Sequence, residues 1–314
     1  MSLTRLQQLA TSPLLQNFAT SASQAAIRKV GNFIAPICEV PDLTFRYKAY
    51  SENFRYRVPV TTRQPGSPAT RLGFSAQDMS LTLEPNALDF PIPNAEDLSD
   101  EGLEYSIMEG QSILADSSGL ALEYEIISIA QTSALASTLS TAADFTDNTV
   151  DPIAILDALI LQVKRGAKNG APVKVLFGMT KFKQCRDNQN VRNRIIVSNR
   201  GGGNNVGLQS VTAEDISGLL ITNPEVQVSE MVIDESAPGA ASNIQFLLDM
   251  QVIVFASNSS PNRMDPSFMK TFARMGGFFR SGSYTTEDQR DQVLKMDWTT
   301  KPSVTNSAAV AACS

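Results

Sequence analysis

The sequence holds few residues able to do acid–base, nucleophilic or metal chemistry, and their spacing does not bring them together. There is no histidine. That removes the commonest general base, the commonest transition-metal ligand and every Ser-His-Asp or Cys-His arrangement. The three cysteines, Cys38, Cys185 and Cys313, stand far apart, so there is no CxxC and no zinc pattern. An odd count in a chain this long reads as free thiols in a reducing compartment. Cys185 shares the apolar side of an expected short helix with Phe182 and has no imidazole to activate it, so it reads as a buried structural cysteine. Glu96, Asp97, Asp100 and Glu101 form an acidic cluster that could do acid–base work or hold a divalent ion. The same residues suit the start of a helix, where the dipole favours negative charge. Gly201, Gly202 and Gly203 run into Asn204 and Asn205, not into the Lys-Ser/Thr pair that a phosphate loop needs. They read as a flexible surface loop that tolerates substitution. Asn258-Ser259-Ser260 matches a glycosylation sequon, which has no meaning for a chain that folds in a cytoplasm. No catalytic residue, cofactor site or metal site is expected.

A different constellation stands out in residues 42–93. Phe45, Tyr47, Phe54, Tyr56 and Val58 alternate with Arg46, Lys48, Arg55 and Arg57, a period of two that argues for strands with unlike faces. Gln64-Pro65-Gly66-Ser67-Pro68 is rich in turn residues, and Met79-Ser80-Leu81-Thr82-Leu83 alternates again. Together they predict a long hairpin with an open tip. Such a hairpin cannot bury its apolar face alone and needs a partner surface, in this chain or in another copy. Arg46, Arg55, Arg57, Arg63 and Arg71 give the segment a positive excess on an otherwise acidic chain. Arg46, Arg55, Arg57, Arg63, Tyr47, Phe54 and Tyr56 are therefore the candidate contact residues toward a neighbouring copy. Opposite patches on identical copies make head-to-tail contacts that close into rings.

The elements around this hairpin follow from periodicity and caps. Residues 1 to about 40 are poorly periodic and read as an arm. Residues 94–145 are helical in tendency, interrupted at Gly110 and Gly119, with the best helix from about Gly119 to Thr138. Asp151 as N-cap and Pro152 at the first helical position open a second helix, whose Ile153, Leu156, Leu159, Ile160 and Val163 share a face, with Gly170 as C-cap. Val173–Phe177 predicts a buried strand, and Thr180 is expected to cap a short helix through Phe182 and Cys185. Thr212-Ala213-Glu214-Asp215 resembles a capping box opening a helix through Ile216 and Leu219. One strand is expected over Val226, Val228 and Met231–Ile233, two more over Phe246–Leu248 and Val252–Phe255, and a short helix near Glu287–Val293. No internal repeat is visible.

The bulk figures fit one elongated α+β unit with an inserted subdomain as well as two domains: 314 residues, 42% hydrophobic and 18% charged. The net charge of −6 and pI of about 4.9 lack the basic face of a nucleic-acid binder, so the chain could enclose DNA without gripping it. Residues 1–10 have no signal-peptide pattern, and no apolar run approaches ~18 residues.

Several segments resemble tailed-phage major capsid proteins of the Hong Kong-97 type. They are Phe33-Ile34-Ala35-Pro36-Ile37-Cys38-Glu39-Val40-Pro41 ahead of the hairpin, Arg63-Gln64-Pro65-Gly66 at its tip, Asp151-Pro152-Ile153 followed by Val175-Leu176-Phe177-Gly178, Asn190-Val191-Arg192-Asn193-Arg194-Ile195 without the family's preceding His-Pro, and Val211-Thr212-Ala213-Glu214-Asp215. The resemblance spans about residues 33–300. It implies an N-terminal arm (1–41), an E-loop hairpin (42–93), a spine helix and peripheral domain (94–170), an inserted axial domain (171–262) and a return to the peripheral domain (263–314). It also implies a shell subunit and not an enzyme. The partners implied are further copies in hexamers and pentamers, a separate scaffolding protein, a portal and enclosed double-stranded DNA. The location implied is the virion after assembly in the host cytoplasm, with no membrane. Covalent cross-linking is not expected, because Lys48, the sole Lys between residues 30 and 163, lies near the hairpin base. The alternatives are an encapsulin-type shell around a cargo enzyme and a soluble α+β enzyme using Glu96–Glu101.

Overall fold

The computed structural model describes residues 30–49, 58, 61–62, 77–93, 100–167, 171–199, 211–237, 241–263, 265–275, 279–287 and 291–314. The chain opens with a single helical turn, α1 (Gly31–Ile34), then β1 (Ile37–Val40). Strands β2 (Thr44–Ala49) and β3 (Gln77–Thr82) pair antiparallel from Thr44↔Thr82 to Ala49↔Gln77, which is the base of the expected hairpin. β4 (Glu84–Pro93) follows directly.

Helix α2 runs from Asp100 to Leu135, about 54 Å at 1.5 Å per residue. It is far longer than the stretch expected from Gly119 to Thr138. Gly110 does not break it, because that position requires a close approach. A Cβ there would lie 2.7 Å from Phe90 Cδ1 and 3.1 Å from Leu294 Cδ1. Seating the helix face of Gly110, Leu114, Ala115, Ser118, Leu122, Ala130 and Ala134 on the sheet outweighs the ~1 kcal/mol that a mid-helix glycine costs.

Helix α3 (Pro152–Gly166) starts as the sequence predicts: Asp151 Oδ1 accepts from Ile153 N at 3.2 Å, with Pro at the first position. It ends at Gly166, and Gly170 lies outside the described residues. β5 (Val173–Gly178) is buried throughout. α4 (Met179–Asp187) is capped differently from expectation. Thr180 sits inside its first turn, and Asp249 Oδ1 accepts from Thr180 N at 3.1 Å. Gly178 makes that approach possible, since a Cβ there would lie 2.1 Å from the Asp249 carbonyl oxygen. Gly178→Ala is expected to cost about 3 kcal/mol through overpacking, read as a lowered urea midpoint with unchanged slope.

α5 (Gln189–Asn199) and α6 (Ala213–Leu219) follow, the latter opened by the expected capping box between Thr212 and Asp215. The single strand expected over residues 226–233 is two: β6 (Glu225–Ser229) and β7 (Val232–Asp234). β7 pairs with β8 (Ile244–Phe246) in a separate ribbon. β9 (Val252–Ala256) returns to the core. The remaining strands are β10 (Met269–Arg274), β11 (Arg280–Thr285), β12 (Asp291–Val304) and β13 (Val310–Cys313). No helix forms at Asp291–Val293, where β12 begins. Its Gln292, Leu294, Met296, Trp298 and Thr300 are buried at alternate positions, the period of a strand.

Two sheets result. In the first, β12 carries β10 and β11 along one side and β4 along the other, and β1 adds in parallel to β10. The second has the order β13-β9-β5-β6. Helix α3 packs on β9 and β13 of the second sheet, and β13 leaves the return segment to pair with β9. The second sheet is covered on both faces. Phe33 of α1 meets Phe255 edge-on at 5.5 Å on one side, and Phe182 of α4 meets Phe177 at 5.6 Å on the other.

Candidate intersubunit surfaces

The hairpin base is fastened to the subunit's own first sheet. Phe45 and Tyr47 lie on Phe272 of β10 with ring centroids 4.8 and 5.7 Å away, and the Arg263 guanidinium stands 5.6 Å from the Phe45 ring centre. Cys38, Val40 and Leu83 complete this small core. Both aromatics are 6% exposed. The partner surface that an isolated hairpin lacks is thus found within the chain for these two rings. For Phe45 and Tyr47 the expectation of a neighbour's surface is corrected, because β10, distant in sequence, already supplies it. Arg46 is exposed at the same base. Phe54, Arg55, Tyr56, Arg57, Arg63 and Arg71 lie outside the described residues.

Two other surfaces carry unburied apolar side chains. The β7–β8 ribbon pairs Val232 with Phe246 and Asp234 with Ile244, so these four residues share one face. Val232 and Ile244 are 48% and 66% exposed, while Ile233 points the other way into the main core. On α2, residues Glu109, Ile113, Asp116, Leu120 and Tyr124 recur every three or four positions and form a stripe. Ile113 and Tyr124 are 43% and 50% exposed, and Glu109 and Asp116 are exposed as well.

Some of the groups first considered for chemistry lie within the described residues. Cys185 is fully buried, and burial, with Cys313 and Asp151 nearby, pushes its thiol up to about 12. Asp100 and Glu101 are the first two residues of α2, while Glu96, Asp97 and the loop Gly201–Gly203 lie outside the described residues. Among the described residues no three His, Cys, Asp or Glu side chains are grouped to hold a metal ion, and no helix is long and apolar enough to cross a membrane. Two buried lysines act as struts. Lys181 Nζ donates to Ala143 O at 2.7 Å and faces the Phe145 ring. Lys270 Nζ donates to Asn262 O and Asp265 O, both at 2.7 Å, and burial pulls its pKa down.

The segment Asn190–Ile195 also has a clear physical task. Asn190 Nδ2 donates to Asn148 O at 2.9 Å and Val150 O at 3.0 Å, Arg194 pairs with Asp151, and Asn188 Nδ2 reaches Phe145 O at 3.0 Å. Together they tie α5 to the loop that leads into α3.

One signal readable from sequence alone is missing from the motif-based reading. Residues 72–163 carry sixteen Asp and Glu and no Lys or Arg, while residues 43–72 carry six Lys and Arg and one Glu. The acidic stretch contains the whole of α2.

No family model matches the sequence, and no curated protein matches it. Solved structures do. A phage-related protein from Bordetella bronchiseptica RB50 is 16% identical and superposes with a TM-score of 0.70, covering 97% of this chain and 96% of its own. The virus-like particle from Pyrococcus furiosus (10% identity, TM-score 0.51) covers 96% of this chain and 98% of its own. The mature capsid of bacteriophage PhiM1 (11%, TM-score 0.50) covers 91% and 86%. At such identities the likeness is one of fold, and it extends over nearly the entire α+β chain.

Proposed function

We propose that this chain, which has the Hong Kong-97-type capsid fold, is the major capsid protein of a tailed double-stranded DNA phage. The observation that carries the reading is the extent of the likeness: it covers 97% of the chain against a phage-related protein, not one domain of it. The task is mechanical. Copies form hexamers and pentamers, and the hairpin of each reaches a neighbour. A single contact of a few kcal/mol corresponds to about millimolar affinity, and many such contacts in a closed shell make the whole stable while each remains reversible during assembly. The shell encloses DNA without gripping it, in keeping with the net charge of −6. A separate scaffolding protein and a portal complete the head, which assembles in the host cytoplasm.

The likeness to a virus-like particle favours one second reading, an encapsulin-type compartment. The contents of purified particles separate the two. A phage head yields nuclease-protected double-stranded DNA. A single co-purifying cargo protein with no nucleic acid would replace the head by a compartment.

A further inference from the structure

We infer that Glu84, Glu125 and Lys301 form a proton-operated clamp between α2 and the first sheet, in which uptake of one proton by Glu125 tightens the helix on β4 and β12. The clamp belongs to the folded subunit and holds whether or not copies build a shell. Gly110 of α2 packs on Leu294 of β12. Thr300 lies six residues farther along β12, on the same face and about 20 Å away. Glu125 lies fifteen residues farther along α2, which is about 22 Å of helix. Helix and strand run side by side, so Glu125 comes level with Thr300 and Lys301. Glu84 of β4 is the register partner of Thr300, and Lys301 Nζ pairs with the Glu84 carboxylate. Three charged groups from three elements thus meet where α2 crosses the sheet. Thr300 Oγ1 is buried there and has no hydrogen-bond partner among the described residues.

Two carboxylates here share one ammonium. Glu84 already holds Lys301, and its carboxylate is more than half exposed. Glu125 is only half-buried but faces the sheet with no cation of its own. On α2 its neighbours one turn away are Ala121, Leu122, Ser128 and Ile129, none of them charged. On β10 the residues opposite Lys301 and Thr300 are Phe272 and Ala273, also uncharged. Burial therefore holds the Glu125 carboxyl above its usual range. Lys301 pulls it back, and Glu84 pushes it further up. With Glu125 ionised the cluster carries one uncompensated negative charge. With Glu125 protonated the cluster is neutral, and the new O–H can donate to Glu84 or Thr300. A carboxyl whose pKa is raised by folding binds its proton more firmly in the folded chain. The stability it brings is complete below the ordinary Glu value of about 4.3 and is lost as pH rises through the raised value. The seating of the longest helix thus responds to the acidity of the medium.

The test compares thermal midpoints of the full-length dissociated subunit and its Glu125→Gln variant between pH 4 and pH 8. The variant carries the neutral form of the clamp at every pH. It is expected to melt with the wild type near pH 4 and about 2 °C or more above it at pH 8. A midpoint at pH 8 equal to or below that of the wild type overturns the inference. So does an offset of the same size at both ends of the range, which would make Glu125 a packing residue and not a proton switch. A second measurement needs no Glu125 variant. In subunits labelled with carboxyl-13C glutamate, one resonance is expected to titrate above the ordinary value of about 4.3. Lys301→Met, which removes the shared ammonium, is expected to move that titration further up. A wild-type spectrum without such a resonance, or one that Lys301→Met leaves in place, overturns the clamp.

Discussion

Replacing Phe255 with Ala is expected to destabilise the subunit by about 3–5 kcal/mol, the cost of emptying a large buried aromatic site. Phe255 is fully buried in β9 at the centre of the second sheet, hydrogen-bonded in register with Lys174 on one side and Val310 on the other. Its ring meets Phe33 edge-on at 5.5 Å and approaches Phe268 at 6.5 Å. One ring thus joins α1, the second sheet and the segment leading into β10. Elements from both ends of the chain converge there, so the cavity has little freedom to collapse. A loss of that size is a large part of the ~5–15 kcal/mol that holds a domain together. Urea unfolding of the dissociated subunit measures it. A loss under about 1 kcal/mol would mean that this junction is not the centre of the core.

Changing Arg55 and Arg57 to Glu is expected to give a soluble, folded subunit that closes no shells. The anchoring of the hairpin base separates the two outcomes. Phe45 and Tyr47 hold that base on Phe272 through contacts that involve neither arginine, so charge reversal farther along leaves the subunit's own core intact. At the proposed contact it would set carboxylates against a second copy of a chain whose net charge is −6, and like charges across a contact oppose it. Negative-stain imaging beside circular dichroism reads both properties. Unfolding of the double variant would assign residues 55 and 57 to the subunit's own core, and normal assembly would make these arginines a solvated face.

What was legible in the sequence was local. Asp151-Pro152 and Thr212–Asp215 cap their helices through atoms two or three residues away, and the all-apolar run at Val173–Phe177 marks a strand buried on both faces. What was not legible depends on distant partners. Thr180 looked like a cap, but the acceptor is Asp249, far along the chain. Gly110 looked like a helix interruption, but Phe90 and Leu294 press against it. Val310-Ala311-Ala312-Cys313 has no alternation to announce a strand, because both of its faces are buried against β9 and its surroundings. Phe45 and Tyr47 showed correctly that the hairpin needs a partner, but not that Phe272 supplies it at the base. For the candidate contact surface, the arginines of residues 46–71 were visible at once. The acid-only stretch of residues 72–163 was equally visible as composition, but only the fold shows which of its carboxylates stand together on an exposed helix face.

Electron microscopy of the purified wild-type protein tests the central claim most directly. The account predicts closed, uniform, icosahedral shells with six-fold and five-fold capsomers. A field of dispersed 34.0 kDa monomers, under conditions where circular dichroism shows the chain folded, would contradict it.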